Sequence, residues 1–275
     1  MNIGVNHINI ISKDSLLYNG SALLYSVTAY FSGIIGLFSQ DILINIISIF
    51  VLAHGMIIAA YLVHECAHNL IFRKMLHNTY LGRALTWLCG ASYGTYEDIR
   101  YKHFRHHVDN DDVVWFDYED FFRNHPLILK ITQILEWFYI PIHEIIMHII
   151  MAFTSFFIDE RRDQRKRNIF VLLVRSSLFI SIAFYFPVVA LYYLVAYVIM
   201  MTVLRFMDSI QHDYSYNLTL FSNERPERKG DFEWEQEHTF SNPISMKIPV
   251  LNWLVLNFGF HNAHHSDMTI PWYQL

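Results

Sequence analysis

The chain has 275 residues, of which 53% are hydrophobic and only 16% are charged, and its mean hydropathy is +0.24. Its 22 Phe, 17 Tyr and 6 Trp exclude an intrinsically disordered protein, because so much aromatic surface must be buried. Two cysteines exclude a disulfide scaffold and a cysteine-based zinc ribbon, and the net charge of −5 argues against a nucleic-acid-binding protein. The remaining class is an apolar, all-α membrane protein, whose 16 histidines suggest a metal site.

Stretches without charged residues predict four transmembrane helices. A helix needs about 20 apolar residues to cross a bilayer, and the candidate spans are 15–40, 42–63, a third from near Asn168 to Pro187, and a fourth from Pro187 to Leu204. The third span contains Arg175, which must reach the interface or face protein. The first twenty residues lack the pattern of a cleavable signal peptide.

The basic residues predict how these spans are oriented. Lys and Arg are absent from the turn between the first two spans and from the turn at Pro187, and they are frequent in both long hydrophilic segments. By the positive-inside rule, these segments and both termini are cytosolic. Residues 127–158 and 249–260 are expected to lie along the interface, and the polar stretch 223–238 is expected to be a surface loop. We therefore expect one domain over 1–275, with four spans and a cytosolic helical cap.

Nine histidines form four clusters, all on the predicted cytosolic side. The sequence HECAH places two imidazoles one helical turn apart, and the sequences HFRHH and HNAHH each repeat an i, i+3, i+4 spacing, so the rings within a cluster share a helical face. The clusters are His64 and His68; His103, His106 and His107; His212; and His261, His264 and His265. Nine unpartnered imidazoles near a bilayer would be costly, which favours a metal site. For His54, His143 and His148 we expect ordinary polar roles in the core or at the interface.

The number of histidines limits which metal they bind. Imidazole suits zinc, copper, iron and nickel, but a zinc ion takes only three or four protein ligands. Nine ligands shared by two ions, with one position open on each, suit five- or six-coordinate centres and indicate iron. A b-type haem would need single histidines that face each other from different spans. A dinuclear non-haem iron site is therefore the better interpretation.

The motifs HECAH, RYKHFRHHVDNDD and NFGFHNAHHSDMTIPWYQL resemble those of the integral-membrane fatty acid desaturase superfamily, and are most similar to its bacterial and acyl-lipid-type members. The resemblance implies that the nine clustered histidines bind two Fe ions. It also makes Asp208, one helical turn before His212, a candidate metal ligand or a contact of a metal-bound water. The alternative for Asp208 is a solvated carboxylate at the membrane surface.

The resemblance further implies an enzyme that uses O2 and two electrons to introduce a cis double bond into a fatty acyl chain carried by a lipid, CoA or a carrier protein. A hydroxylase or ketolase of a lipid or carotenoid is an alternative on the same scaffold. A receptor or metal-storage protein that kept the motifs is a third interpretation, which the intact spacing of all clusters disfavours. The membrane would be the inner membrane of a bacterium or the endoplasmic reticulum of a eukaryote.

The electrons are expected to come from a separate ferredoxin-like or small b-type cytochrome donor, because the chain has neither a haem-binding cytochrome segment nor the cysteines of an iron–sulfur cluster. The basic run is expected to bind anionic lipid headgroups, with donor docking as the alternative, and comprises Arg161, Arg162, Arg165, Lys166 and Arg167. Trp87, Trp137 and Trp253 are expected to be interface anchors, or else walls of the substrate tunnel. Cys66 is expected to be a packing residue.

Overall fold

A computed structural model describes residues 12–214, 217–222 and 226–275, so the predictions for residues 1–11 and 223–225 lie outside it. The fold is predominantly helical, which confirms the expected all-α class. The described helices and strands are α1 (Lys13–Gly36), α2 (Ile42–Ala67), α3 (Met75–Leu88), α4 (Tyr96–Asp109), β1 (Asp112–Val114), α5 (Tyr118–Asn124), α6 (Pro126–Trp137), α7 (Ile142–Phe157), α8 (Arg165–Tyr185), α9 (Pro187–Ser209), β2 (Asn217–Thr219), α10 (Phe232–Glu237) and α11 (His261–Ser266). Short 3-10 helices cover Ala91–Tyr93, Asp159–Gln164, Pro249–Val255 and Trp272–Gln274.

Helices α1 and α2 form a close antiparallel pair. At the turn between them, the Asn45 side chain donates to the carbonyls of Gly36 at 3.1 Å and Leu37 at 3.2 Å, which lie at the end of α1. Farther along the pair, a Cβ added to Gly33 would lie 2.7 Å from the Cβ of Leu52, and one added to Gly55 would lie 3.0 Å from the Cβ of Ala29. Small residues thus let the two backbones approach as they do in membrane helix pairs.

Three helical segments are long and apolar enough to cross a membrane, namely Ile42–Ala67, Asp159–Tyr185 and Pro187–Ser209. They correspond to the second, third and fourth predicted spans. The pair Pro126–Trp137 and Ile142–Phe157 is bent by 119° at its break and would raise the number to four if it counted as one broken span. The first predicted span, 15–40, is helical in α1 but is not among these segments, so the described residues contain three or four candidate spans.

Polar residues on the inner face of α1 explain its lower apolar content. Ser15, Asn19 and Ser26 are buried in the protein, whereas Leu24 and Phe31 on the outer face are 66% and 55% exposed. The mean hydropathy of the helix averages over both faces, so it does not detect that the outer face is apolar.

The hairpin of α8 and α9 turns at Pro187, as predicted. Proline is the first residue of α9, a position where its missing N–H costs no hydrogen bond. Arg175, the charged residue within the third predicted span, faces protein and not the lipid. Its guanidinium donates to Ser92 Oγ at 2.7 Å and lies 5.8 Å from the centre of the Trp87 ring.

Two short parallel strands pair with each other, with Val113 of β1 opposite Leu218 of β2. Both residues are buried in a small apolar cluster with Trp115 and Met151. Arg105 of α4 reinforces the connection, because one of its guanidinium nitrogens donates to the Leu220 carbonyl at 3.1 Å. The sequence offered no strand pattern here, since each strand has only three residues.

Of residues 223–238, expected to be a surface loop, the described part 226–238 is only partly a loop. Helix α10 begins after Asp231, whose carboxylate accepts a hydrogen bond from the Trp234 N–H at 3.1 Å. Glu235 of this helix is buried. The prediction was therefore wrong for α10, which carries a residue into the interior.

The contact between α1 and α2 gives a testable expectation. We expect Gly33→Ala to lower the thermal unfolding temperature by several degrees, because its Cβ would meet Leu52 and overpacking costs about 1–3 kcal/mol. Circular dichroism of the detergent-solubilised protein measures this. Gly20→Ala is the matched control, since its nearest neighbour would be 3.9 Å away and alanine favours a helix. Equal unfolding temperatures for the two variants would contradict the close packing.

Candidate metal centre

Four segments bring the nine clustered histidines together. The first two histidines lie at the end of α2, three on α4, one after α9 and three on α11. All nine contribute a ring nitrogen to one of two groups in which the candidate ligand atoms lie within 4.8 Å of one another. The structure thus brings these rings together from distant parts of the chain, and their role as metal ligands stays a prediction.

Hydrogen bonds between the segments hold this arrangement. Arg100 Nε of α4 donates to the Ala67 carbonyl at the end of α2 at 2.9 Å. The side chain of Gln211 donates to the Phe258 carbonyl at 3.0 Å and so ties the His212 segment to the approach of α11. At the start of α11, Asn262 Nδ2 donates to the Thr239 carbonyl at 2.8 Å. Each segment that carries histidines is thus fixed by a polar side chain next to it.

The first group contains five histidines: His64, His68, His103, His107 and His264. The Nε2 atoms of His68 and His103 are 2.6 Å apart, those of His103 and His107 are 3.1 Å apart, and those of His107 and His264 are 3.2 Å apart. His64 Nε2 is buried and has no hydrogen-bond partner in the described part of the chain. Five imidazole nitrogens therefore face a common centre.

The second group contains four histidines: His106, His212, His261 and His265. The Nε2 atom of His212 lies 2.9 Å from that of His106 and 2.7 Å from that of His261. The Nε2 atom of His265 lies 3.1 Å from that of His261. A further set of His107, His265 and Glu235 overlaps both groups.

The two H-x-x-H-H motifs divide their histidines between the groups in opposite ways. In α4, His103 and His107 belong to the first group and His106 to the second. In α11, His261 and His265 belong to the second group and His264 to the first. Each motif thus gives its i, i+4 pair to one group and its middle histidine to the other.

The spacing and protonation of the rings suit metal binding. Two nitrogens that bind one ion at about 2.1 Å and at right angles are about 3.0 Å apart, and the Nε2 contacts here span 2.6–3.2 Å. Burial lowers the pKa of His103, His107 and His261, and the neighbouring rings lower it further. Neutral imidazoles offer a free lone pair, which is the form that binds a metal.

Outer contacts orient three of the rings through Nδ1. His265 Nδ1 lies 2.6 Å from Glu235 Oε1, and His106 Nδ1 lies 3.0 Å from the Asp111 carbonyl oxygen. Thr239 Oγ1 lies 3.4 Å from His212 Nδ1. A partner at Nδ1 leaves Nε2 for the metal and fixes the ring plane. Burial raises the pKa of Glu235 to about 7.

Glu235 is the residue that the sequence analysis missed. The segment after Asp231 could have been recognised as a short helix with an Asp cap. Nothing in the neighbouring sequence, however, indicates that Glu235 contacts His265, which is 30 positions away. Cys66 is buried in the main hydrophobic core and belongs to neither histidine group, as expected of a packing residue.

A cavity of about 400 Å³ opens beside the histidines. It is lined by five of them, by apolar residues of α2, α4 and α7, and by Asp208, which belongs to neither group. The role of Asp208 as a ligand or as a contact of a metal-bound water stays a prediction. Trp87, Trp137 and Trp253 do not line this cavity, and the tryptophan that does is Trp115. Their use as walls of this cavity is therefore excluded.

The three histidines for which we expected ordinary polar roles lie in different surroundings. His54 bridges helices, because its Nδ1 lies 2.6 Å from Tyr25 Oη and its Nε2 lies 2.9 Å from the Leu254 carbonyl oxygen. This is the ordinary polar role that we expected. His143 and His148 belong to neither group, but both line the cavity.

The basic run at 161–167 is largely occupied by contacts within the protein. Arg161 pairs with Asp98 at 2.9 Å, Arg165 donates to the Ser155 carbonyl at 2.7 Å, and Arg167 donates to the Ser92 carbonyl at 2.8 Å. Arg162 and Lys166 are exposed. Lipid headgroups or a donor would therefore meet a smaller basic surface than the sequence suggests.

We expect Glu235→Ala to weaken the binding of a divalent metal 10- to 100-fold, because the buried His265 loses the carboxylate that orients it. Glu235→Gln, which keeps an acceptor oxygen, should lose less. Competition with a chelator of known affinity measures the effect. Glu233→Ala, an exposed residue of the same helix, is the control. Unchanged affinity in Glu235→Ala would show that the contact does not support a metal.

The family model for fatty acid desaturases matches residues 42–275, a range that includes all nine clustered histidines and the three candidate spans. Comparison with curated proteins gives no match, and neither does comparison with solved structures. The family implies a membrane oxidoreductase of the desaturase and hydroxylase type that acts on lipids. On a match over this much of its length, the chain belongs to the fatty acid desaturase family.

Proposed function

We propose that the protein is a di-iron fatty acyl desaturase, in which the five histidines of the first group hold one iron and the four of the second group hold the other. The observation that carries the proposal is the convergence of nine imidazole nitrogens, from four separate segments, into two adjacent groups. A receptor that had lost its activity would be under no constraint to keep all nine in place.

Iron is favoured by the number and kind of ligands. A structural zinc site closes with four protein ligands and a catalytic one uses three, so five imidazoles around one position exceed what zinc takes. Imidazole is a good iron ligand, and iron accepts five or six ligands while leaving room for a reactant. Two irons bound there would supply the dioxygen chemistry that attacks an unactivated methylene.

The residues of the chain position the acyl chain. Ala60, Val63 and Met151 contribute apolar surface to the cavity, and His64 and His106 border the same space. A methylene pair held there would lie next to both groups. Desaturation removes two hydrogens from adjacent carbons, and two electrons and two protons complete the reduction of O2 to two waters.

A separate protein is proposed to deliver these electrons, of the ferredoxin-like or small b-type cytochrome class. Arg162 and Lys166 are the exposed members of the basic run and could contact an acidic donor or anionic headgroups. The acyl chain would arrive on a lipid, CoA or a carrier protein.

We also propose that α1 is a fourth span and that the chain forms one domain. Ser15 Oγ at the start of α1 donates to the Ile71 carbonyl just beyond α2 at 3.1 Å, and Asn45 at the start of α2 contacts the end of α1. Because α1 runs the length of α2, the two helices would cross the bilayer together. The histidines would then lie on the cytosolic side.

Labelling of single cysteines in intact cells tests this topology. With a membrane-impermeant maleimide, Gln40→Cys should react from outside, and Asp14→Cys should react only after permeabilisation. Both residues are exposed, and the native Cys66 and Cys89 are buried, so the background is low. Reaction of both variants from outside would exclude α1 as a span.

The activity is tested by expression in a host of defined lipid composition, followed by mass spectrometry of total lipids. We expect acyl chains that have lost two hydrogens, and about two irons per purified chain. A gain of one oxygen would indicate a hydroxylase, and a change in carotenoids alone would contradict the acyl substrate.

Two variants connect the activity to the histidines. His264→Ala and His106→Ala, one from each group, should abolish product and lower the iron content while still inserting into the membrane. His125→Ala is the control, because His125 is exposed and belongs to neither group. Full activity in either group variant would refute the ligand assignment.

A further inference from the structure

The cavity beside the histidines is lined by apolar residues, but two of its buried polar side chains have no hydrogen-bond partner in the described part of the chain. We propose that the lipid oxidised here carries an uncharged hydrogen-bonding group, a hydroxyl or an amide, near the oxidised carbon, and that Tyr61 and His143 bind that group. This inference rests on the proposed function and specifies its substrate class.

Tyr61 is the first of the two binding residues. It lines the cavity from α2 and is 4% exposed, and its hydroxyl has no hydrogen-bond partner in the described part of the chain. Its ring packs against Phe258 at 4.7 Å between centroids, so the side chain is held in place. A buried hydroxyl without a partner is rare in a folded protein and needs a partner from outside the chain.

His143 is the second, and it lies on a different wall of the cavity. It begins the cavity-facing part of α7 and is 8% exposed, and neither of its ring nitrogens has a hydrogen-bond partner among the described residues. Its Nδ1 faces Glu144 Oε1 at 3.6 Å. The Tyr118 ring packs edge-on against it at 4.5 Å. The ring is thus fixed, and Nε2 is the nitrogen that is left to bind a hydroxyl or an amide.

The charged side chains around the cavity do not form a binding site for an anion. Three carboxylates, those of Asp112, Glu144 and Asp208, line the cavity beside two cations, Lys102 and Arg205. Arg205 already lies 3.9 Å from Glu144. The net charge of these side chains is −1, so in the metal-free protein a phosphate or carboxylate would meet no excess of positive charge there.

Tyr61 lies close to the histidines along α2. Tyr61 and His64 are three residues apart, so they share a face of the helix with Cβ atoms about 5–6 Å apart, and both line the cavity. A polar group bound at Tyr61 is therefore near the part of the lipid that faces the histidines.

Two uncharged probes that differ by one hydroxyl test the proposal: methyl octadecanoate and methyl 3-hydroxyoctadecanoate. Binding is measured on the full-length, metal-free protein in nanodiscs, so it needs neither iron nor an electron donor. We expect the hydroxylated ester to bind at least tenfold more tightly, as one well-placed hydrogen bond in a buried site allows. Tyr61→Phe and His143→Phe should each reduce this preference to about threefold or less.

Tyr80→Phe, a substitution at an exposed tyrosine of α3, is the matched control and should keep the preference. With the iron-loaded enzyme and a reductant, oxidation of the hydroxylated ester should fall on chain carbons close to the hydroxyl. Equal binding of the two esters to the unmodified protein would overturn the inference, and would mean that only water meets Tyr61 and His143. In that case, conversion of the plain ester would still support the proposed function. A preference for the hydroxylated ester without conversion of either ester would support the binding roles of Tyr61 and His143 but contradict oxidation of that lipid, and with it the proposed function.

Discussion

Eight of the nine clustered imidazoles have an Nε2 atom within 2.6–3.2 Å of that of a neighbouring ring. Two nitrogens at such distances repel unless a proton or a metal cation lies between them, and burial disfavours the extra protons that would charge the rings. The surrounding structure must therefore hold four segments in place against this repulsion. Arg100, Gln211 and Asn262 do so, each by donating from its side chain to a backbone carbonyl of another segment.

Helix α2 connects this centre to the membrane part of the molecule. Its middle is buried between α1 and α9, where Leu52, Met56 and Leu62 are wholly enclosed, and its last turn carries His64. The same turn bears Glu65, whose carboxylate accepts a hydrogen bond from the Trp272 N–H at 3.2 Å. The packing of the spans and the position of the first histidines are thus properties of one helix.

The sequence predicted what depends on local spacing. The i, i+4 pairs and charge-free stretches identified the nine histidines and three of the spans, because helical periodicity and hydropathy are properties of neighbouring residues. The division of each H-x-x-H-H motif between two groups, the contact of Glu235 with His265 and the strand pair at Val113 depend on residues far apart in the chain. For α1, hydropathy alone was insufficient, since its polar residues face a partner helix and its apolar ones face outward.

The opposite division of the two motifs has a consequence for how the centre is filled. His106 and His107 are consecutive residues of one rigid helix yet belong to different groups, and the same holds for His264 and His265. A movement of α4 or α11 therefore shifts one ring of each group at the same time, so the two groups cannot be adjusted independently. An ion bound in one group would fix helices that also carry rings of the other.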